Sequence, residues 1–225
     1  MVLIRALQFI VDHPHLILPK AGSQLLLSGA ALGVALGVGL PIGMVTGHLR
    51  RWSAGAFAIS SALRALPTLA IIAIGIGLYG LGFVNIMVAL AILGIPPILT
   101  NTYVAVSSVP AATVQAARGL GMRPWQVLLA VELPNAIPLI LGGVRTASVY
   151  IIATAYLASF AGTDATLGSV ITNEGAYGLA GVIGATIVIL ILAFGIEALL
   201  ALCQHLLTPR GLRRGVRLAL EGSAA

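Results

Sequence analysis

From Leu25 to Gly47 the chain runs without one Asp, Glu, Lys or Arg. A membrane-crossing helix needs about 20 mostly apolar residues, each adding about 1.5 Å of rise, and this run meets that length. Four further segments qualify. They run from about Ala54 to Leu81, with Arg64 and a kink at Pro67 inside it; from Asn85 to Val106, holding Pro96 and Pro97; from Ala136 to Phe160; and from Leu179 to Leu207. Only 8% of the 225 residues are charged and 59% are hydrophobic. A soluble domain carries about a quarter of its residues as charges, so this composition cannot cover a globule with a polar shell. The expectation is an all-α integral membrane protein, one domain over residues 1–225, with five transmembrane helices (25–47, 54–81, 85–106, 136–160, 179–207).

The net charge of +6 serves topology rather than nucleic acid. Lys and Arg near span ends are retained on the cytoplasmic side. Arg50 and Arg51 follow the first span, Arg118 and Arg123 lie between the third and fourth, and Arg210, Arg213, Arg214 and Arg217 follow the fifth. The opposite loops, 80–84 and 161–178, hold neither Lys nor Arg. Five spans then place the N-terminus outside and the C-terminus inside, with only Arg5 and Lys20 opposing. Because Arg5, Asp12, His13, Pro14 and Lys20 precede the first long run, the order of a signal peptide is absent and the first span is expected to be permanent.

Several chemistries drop out. Cys203 is the single cysteine, so the chain has no internal disulfide and no paired-thiol metal spacing. The single lysine sits in Leu18-Pro19-Lys20-Ala21, which rules out a phosphate-binding G-x-x-x-x-G-K-[ST] loop. The first span carries Gly29, Gly33 and Gly37 interleaved with Gly39, Gly43 and Gly47. Glycines four apart let helix backbones approach closely in lipid; static packing is the plainer reading and a moving contact the other.

The segment 107–134 is too structured for a connector. Pro110 suits the first turn of a helix, the alanines after it extend that helix, and Gly119 or Gly121 can end it in a left-handed cap. Pro124 then opens a second helix. Gln115-Ala116-Ala117, then Gly121, then Val131, Leu133 and Pro134 keep the spacing of E-A-A, three residues, Gly, nine residues, a branched aliphatic, any residue, Leu-Pro. In this pattern the chain resembles the integral membrane permeases of ABC importers, departing by Gln at 115 and Val at 131. Three runs, Arg64-Ala65-Leu66-Pro67-Thr68-Leu69-Ala70, Pro97 to Tyr103 and Gly142 to Ala147, look like the permeases of osmoprotectant systems for glycine betaine, choline or carnitine. The segment Ala161 to Gly168 departs from that family's glycine-rich form.

The resemblance implies a multi-pass protein of the bacterial cytoplasmic (inner) membrane, not an enzyme. It would pair with a second permease subunit, the same or a similar chain. A separate ABC ATPase subunit would bind the ATP, leaving this chain no cofactor, and an extracytoplasmic substrate-binding protein would deliver the solute. Segment 107–134 would be the cytoplasmic ATPase-coupling loop, carried by Gln115, Ala116, Ala117, Gly121, Val131, Leu133 and Pro134. Asn101, Thr102, Tyr103 and Arg145 are candidates for the pathway or its gate. Arg145, well inside the fourth span, costs about 2.5–3.5 kcal/mol unless it snorkels or pairs; a carbonyl or an acid such as Glu197 is the alternative partner. With 5% aromatic residues the chain offers no evident aromatic cage for a quaternary ammonium. A permease for methionine or another small solute is the nearest alternative. A passive channel needs no such loop, and an intramembrane enzyme lacks paired catalytic groups.

Overall fold

The computed structural model describes residues 2–50 and 53–208. Arg51 and the cluster Arg210, Arg213, Arg214 and Arg217, which carry part of the topology argument, lie outside the described residues. Among the described residues every regular element is helical. Four helical runs are long and apolar enough to cross a membrane. They are α2 (Pro14–Leu49), α5 (Phe83–Ser107), the run Pro124–Ala161 with α8 (Leu133–Thr154) as its main part, and α10 (Glu174–Leu207).

The second expected span is not one helix. It splits into α3 (Ser53–Ala65) and α4 (Thr68–Tyr79), because Pro67 offers no N–H and its ring drives Leu66 out of the helical region. Pro67 itself takes extended angles (φ −68°, ψ 125°) and caps α4. Other boundaries also moved. The 36 residues of α2 extend about 54 Å at the helical rise, beyond a hydrocarbon core of about 30 Å, so its first turns hold polar groups such as Lys20 outside the apolar stretch. At the other end of the chain, α10 begins at Glu174 and is interrupted at Gly178 (φ 64°).

The bundle is built in sequence: α2 packs on α5, α5 on α8, and α8 on α10. The two glycine series of α2 have different fates. A Cβ on Gly39, Gly43 or Gly47 would come within 3.0, 2.6 or 2.8 Å of Ile98, Thr102 or Val106 of α5, whereas Gly29, Gly33 and Gly37 have nothing within 4 Å. The first set is therefore a four-residue register between two backbones in close approach, as small residues permit in lipid. Ala31, Ile86, Leu90, Ile151 and Ala158 centre the largest apolar core.

A short amphipathic helix, α1 (Val2–Asp12), precedes the bundle. Its inner face, Ala6 with Phe9 and Ile10, packs on Gly181 and Gly184 of α10. Nearby, Lys20 Nζ of α2 donates to Ser169 Oγ at 2.7 Å and to the Asp164 carbonyl. This ties α2 to the segment after α8, which carries the short helix α9 (Gly168–Ile171), at the end of the bundle opposite the segment 107–134.

Candidate functional site

α6 (Ala111–Gly119) starts at Pro110, whose carbonyl accepts from Thr113 N at 3.0 Å and Val114 N at 3.3 Å. Its end is set by Gly121. That residue adopts φ +82°, a region costly to any residue with a Cβ, and Met122 N reaches back to Ala117 O at 3.3 Å. The corner thus falls at Gly121, one of the two glycines the sequence offered. α7 (Pro124–Val127) follows, with Gln126 Oε1 accepting from Arg123 N at 2.7 Å. Val109, Val114, Ala117 and Val127 form a core of their own beneath the corner. The segment is a folded unit.

Within that unit the signature residues divide. Ala117 is buried and holds the helix to its core; Gln115 and Ala116 are exposed on the outer face, beside Leu120, which is 85% exposed at the corner. A hydrophobic side chain standing that far out on a polar surface is available to a partner. Val131, Leu133 and Pro134 are half-buried at the root. There the helix widens into a π-turn over Leu128–Glu132, a deformation frequent at functional sites.

Two contacts fasten the unit to α2, and neither was anticipated. Glu132, fully enclosed, meets His48 Nδ1 at 2.5 Å across 84 positions of sequence. Arg50, the left-handed cap of α2 (φ 52°), donates from Nη2 to the Val109 carbonyl at 2.7 Å. An acid between Val131 and Leu133 was itself a signal, since a buried carboxylate needs a partner. Nothing in the local sequence names that partner.

The pathway candidates lie deeper. Thr102 and Tyr103 are buried where α5 meets the glycines of α2. Asn101 is half-buried against Gly143 of α8, its Nδ2 donating to the Pro97 carbonyl at 2.8 Å. Arg145 joins α8 to α10. Its Nε donates to Glu197 Oε1 at 3.0 Å, Nη2 reaches the same oxygen, and Nη1 donates to Gln204 Oε1 at 2.5 Å. Gln204 in turn donates to the Pro138 carbonyl at 2.8 Å. Arg64 contacts Thr100, which shares a 2.7 Å hydrogen bond with Ser60. Among the described residues no three His, Cys, Asp or Glu side chains gather as a metal site.

Residues 39–211 match the family described as the inner membrane component of binding-protein-dependent transport systems. The chain belongs to that family. This permease is 33% identical over 197 residues to the glycine betaine/carnitine/choline transport system permease protein OpuCB of Bacillus subtilis, a match spanning 88% of the chain and 91% of the relative. It is 38% identical over 156 residues to the carnitine transport permease protein OpuCB of Listeria monocytogenes, covering 69% and 71%. A chain of the MetNI methionine ABC transporter in an inward-facing form superposes with a TM-score of 0.75 at 18% identity, covering 86% of the permease and 97% of that chain; that likeness concerns the fold. The permease is a transport component of the inner membrane.

Proposed function

We propose that this permease is the membrane-spanning part of an ATP-driven importer for osmoprotectants such as glycine betaine, choline or carnitine. The observation that carries the reading is the 33% identity along nearly the whole of both chains to a permease named for those solutes. Five crossings follow when α3 and α4 are taken together: residues 53–79 extend about 40 Å at the helical rise, enough for one broken span. The N-terminus is then outside and the C-terminus inside, supported by Arg50, Arg118 and Arg123 at one end of the bundle.

In this arrangement segment 107–134 stands in the cytoplasm and α6 enters a cleft of a separate ATPase subunit, which alone binds ATP. Gln115, Ala116 and the protruding Leu120 make the contact, Gly121 sets its angle, and Val131, Leu133 and Pro134 root the lever in α8. Gln115 in place of Glu makes that contact a neutral hydrogen bond. ATP shifts the path between its inward-open and outward-open states only if such contacts differ between them. A second permease completes the path and an extracytoplasmic binding protein loads it. Asn101 and Arg145 are the pathway residues this geometry favours; the burial of Thr102 and Tyr103 supports a packing role.

The test is the complete assembly in liposomes. Glycine betaine or choline accumulating against a gradient, with ATP turnover stimulated by loaded binding protein, is the expected result. Accumulation of methionine, with no effect of any betaine or choline, would keep the importer and reject the substrate class. Flux through the permease alone would reject the importer.

A further inference from the structure

The exposed faces of α2 and α10 are apolar: Leu26, Val34, Val38 and Ile42 on one, Ile191, Phe194, Leu199 and Leu202 on the other. The exposed face of α8 is mixed, with Asn135, Thr146 and Tyr150 alongside Leu139 and half-buried Gly142 at helical spacing. Beside it the Arg145–Glu197 pair is half-open, 31% and 29% exposed. Both charges lie near the middle of their helices, where contact with hydrocarbon is strongly penalised. This face is therefore turned to water or to protein.

It also carries an open groove. Gly142, Arg145, Thr146, Val149, Tyr150 and Glu197 line this groove, about 430 Å³ in volume, within the range of about 300–1,000 Å³ common for small-molecule sites. Charge remains available in it. Both Arg145 contacts converge on Glu197 Oε1, so Oε2 enters neither, and a guanidinium has more N–H donors than these contacts use. The Tyr150 ring, 51% exposed, lies at the groove wall, and aromatic faces attract quaternary ammonium groups.

We propose that Arg145, Glu197, Thr146 and Tyr150 form a binding station within the transport path for a small zwitterion, on the reading of the chain as an osmoprotectant permease. The spare guanidinium N–H groups receive the carboxylate of the solute. Glu197 Oε2 and the Tyr150 ring receive its trimethylammonium group. The site holds one solute weakly between the binding protein and the cytoplasm, selecting for paired opposite charge; choline, lacking a carboxylate, engages only the Glu197 half.

The test uses the assembled importer in liposomes, with Cys203→Ser and Val149→Cys leaving one thiol in the permease. A trimethylammonium methanethiosulfonate, which reacts only where water reaches, should label that thiol. Glycine betaine at ten times its half-effective concentration should slow labelling roughly tenfold by mass action. Glu197→Gln should abolish protection by choline while retaining part of that by glycine betaine. Absence of labelling, or labelling unchanged by glycine betaine in an importer that transports it, would overturn the station. Should Val149→Cys prevent assembly, Gly142→Cys on the same wall, where a Cβ meets nothing within 4 Å, carries the same measurement. Protection by methionine, in an importer that carries no betaine or choline, would keep the station and reject the osmoprotectant reading.

Discussion

His48 and Glu132 are ordinary in sequence and unusual in place. A carboxylate that is 1% exposed depends on its partner for its hydrogen bond, and removing one member of a buried pair costs about 3–5 kcal/mol. His48→Ala should lower the thermal midpoint of the purified permease markedly. Replacing both residues by Leu should restore most of the loss, since an apolar pair leaves no stranded charge; a double variant no more stable than His48→Ala would show that the pair is not the source. Gly121 is the second residue whose chemistry is forced. At φ +82° a β-branched residue is strained by about 1–2 kcal/mol, so Gly121→Val should reduce uptake while leaving membrane insertion intact, measured as transport per inserted molecule. Gly121 was legible because glycine at a helix end has a local reason. The His48–Glu132 pair was not, because its two halves meet only after α2 and α8 have packed.

The elements were legible in unequal measure. Apolar length finds α2, α5 and α10, though α2 starts at Pro14 and not at Leu25, and Pro67 marks a kink in the second run; that the kink is a full break between α3 and α4 is seen only in the backbone angles there. Glycine spacing posed a similar problem. Two series of identical period sit on α2, and only the later one meets α5; which face turns inward depends on a partner the local pattern does not contain. The difference predicts an asymmetry. Gly43→Ala would set a methyl 2.6 Å from Thr102 Cβ and 2.9 Å from the Leu99 carbonyl, and overpacking of this kind costs about 1–3 kcal/mol. Gly33→Ala has nothing within 4 Å to meet. Thermal midpoints of the two variants in detergent should separate clearly, and equal midpoints would refute the close approach of α2 and α5.

At the scale of the whole molecule, orientation is the property most open to direct measurement. Reporter fusions after Gly162 and after Arg210 should report opposite sides of the membrane, the first outside and the second inside; the same side for both would remove the five-crossing arrangement and with it the cytoplasmic position of the coupling loop. Fold and family were readable because hydropathy and the gapped pattern from Gln115 to Pro134 are properties of consecutive residues. The Arg145 groove was only half readable. The charge within the span declared itself and Glu197 was a candidate partner, but the space between Thr146, Tyr150 and Glu197 exists only once α8 and α10 stand side by side.

The contact of α1 with α10 gives the chain a particular order of biosynthesis. Among the described helices α1 is made first and packs against α10, which is made last, with Phe9 lying on Gly181 and Gly184. Until α10 is made, the face of α1 that packs on it lacks that partner. The contact forms only when α10 arrives, so a nascent chain stalled before Gly181 should expose α1 to protease, while one extended past Leu207 should protect it.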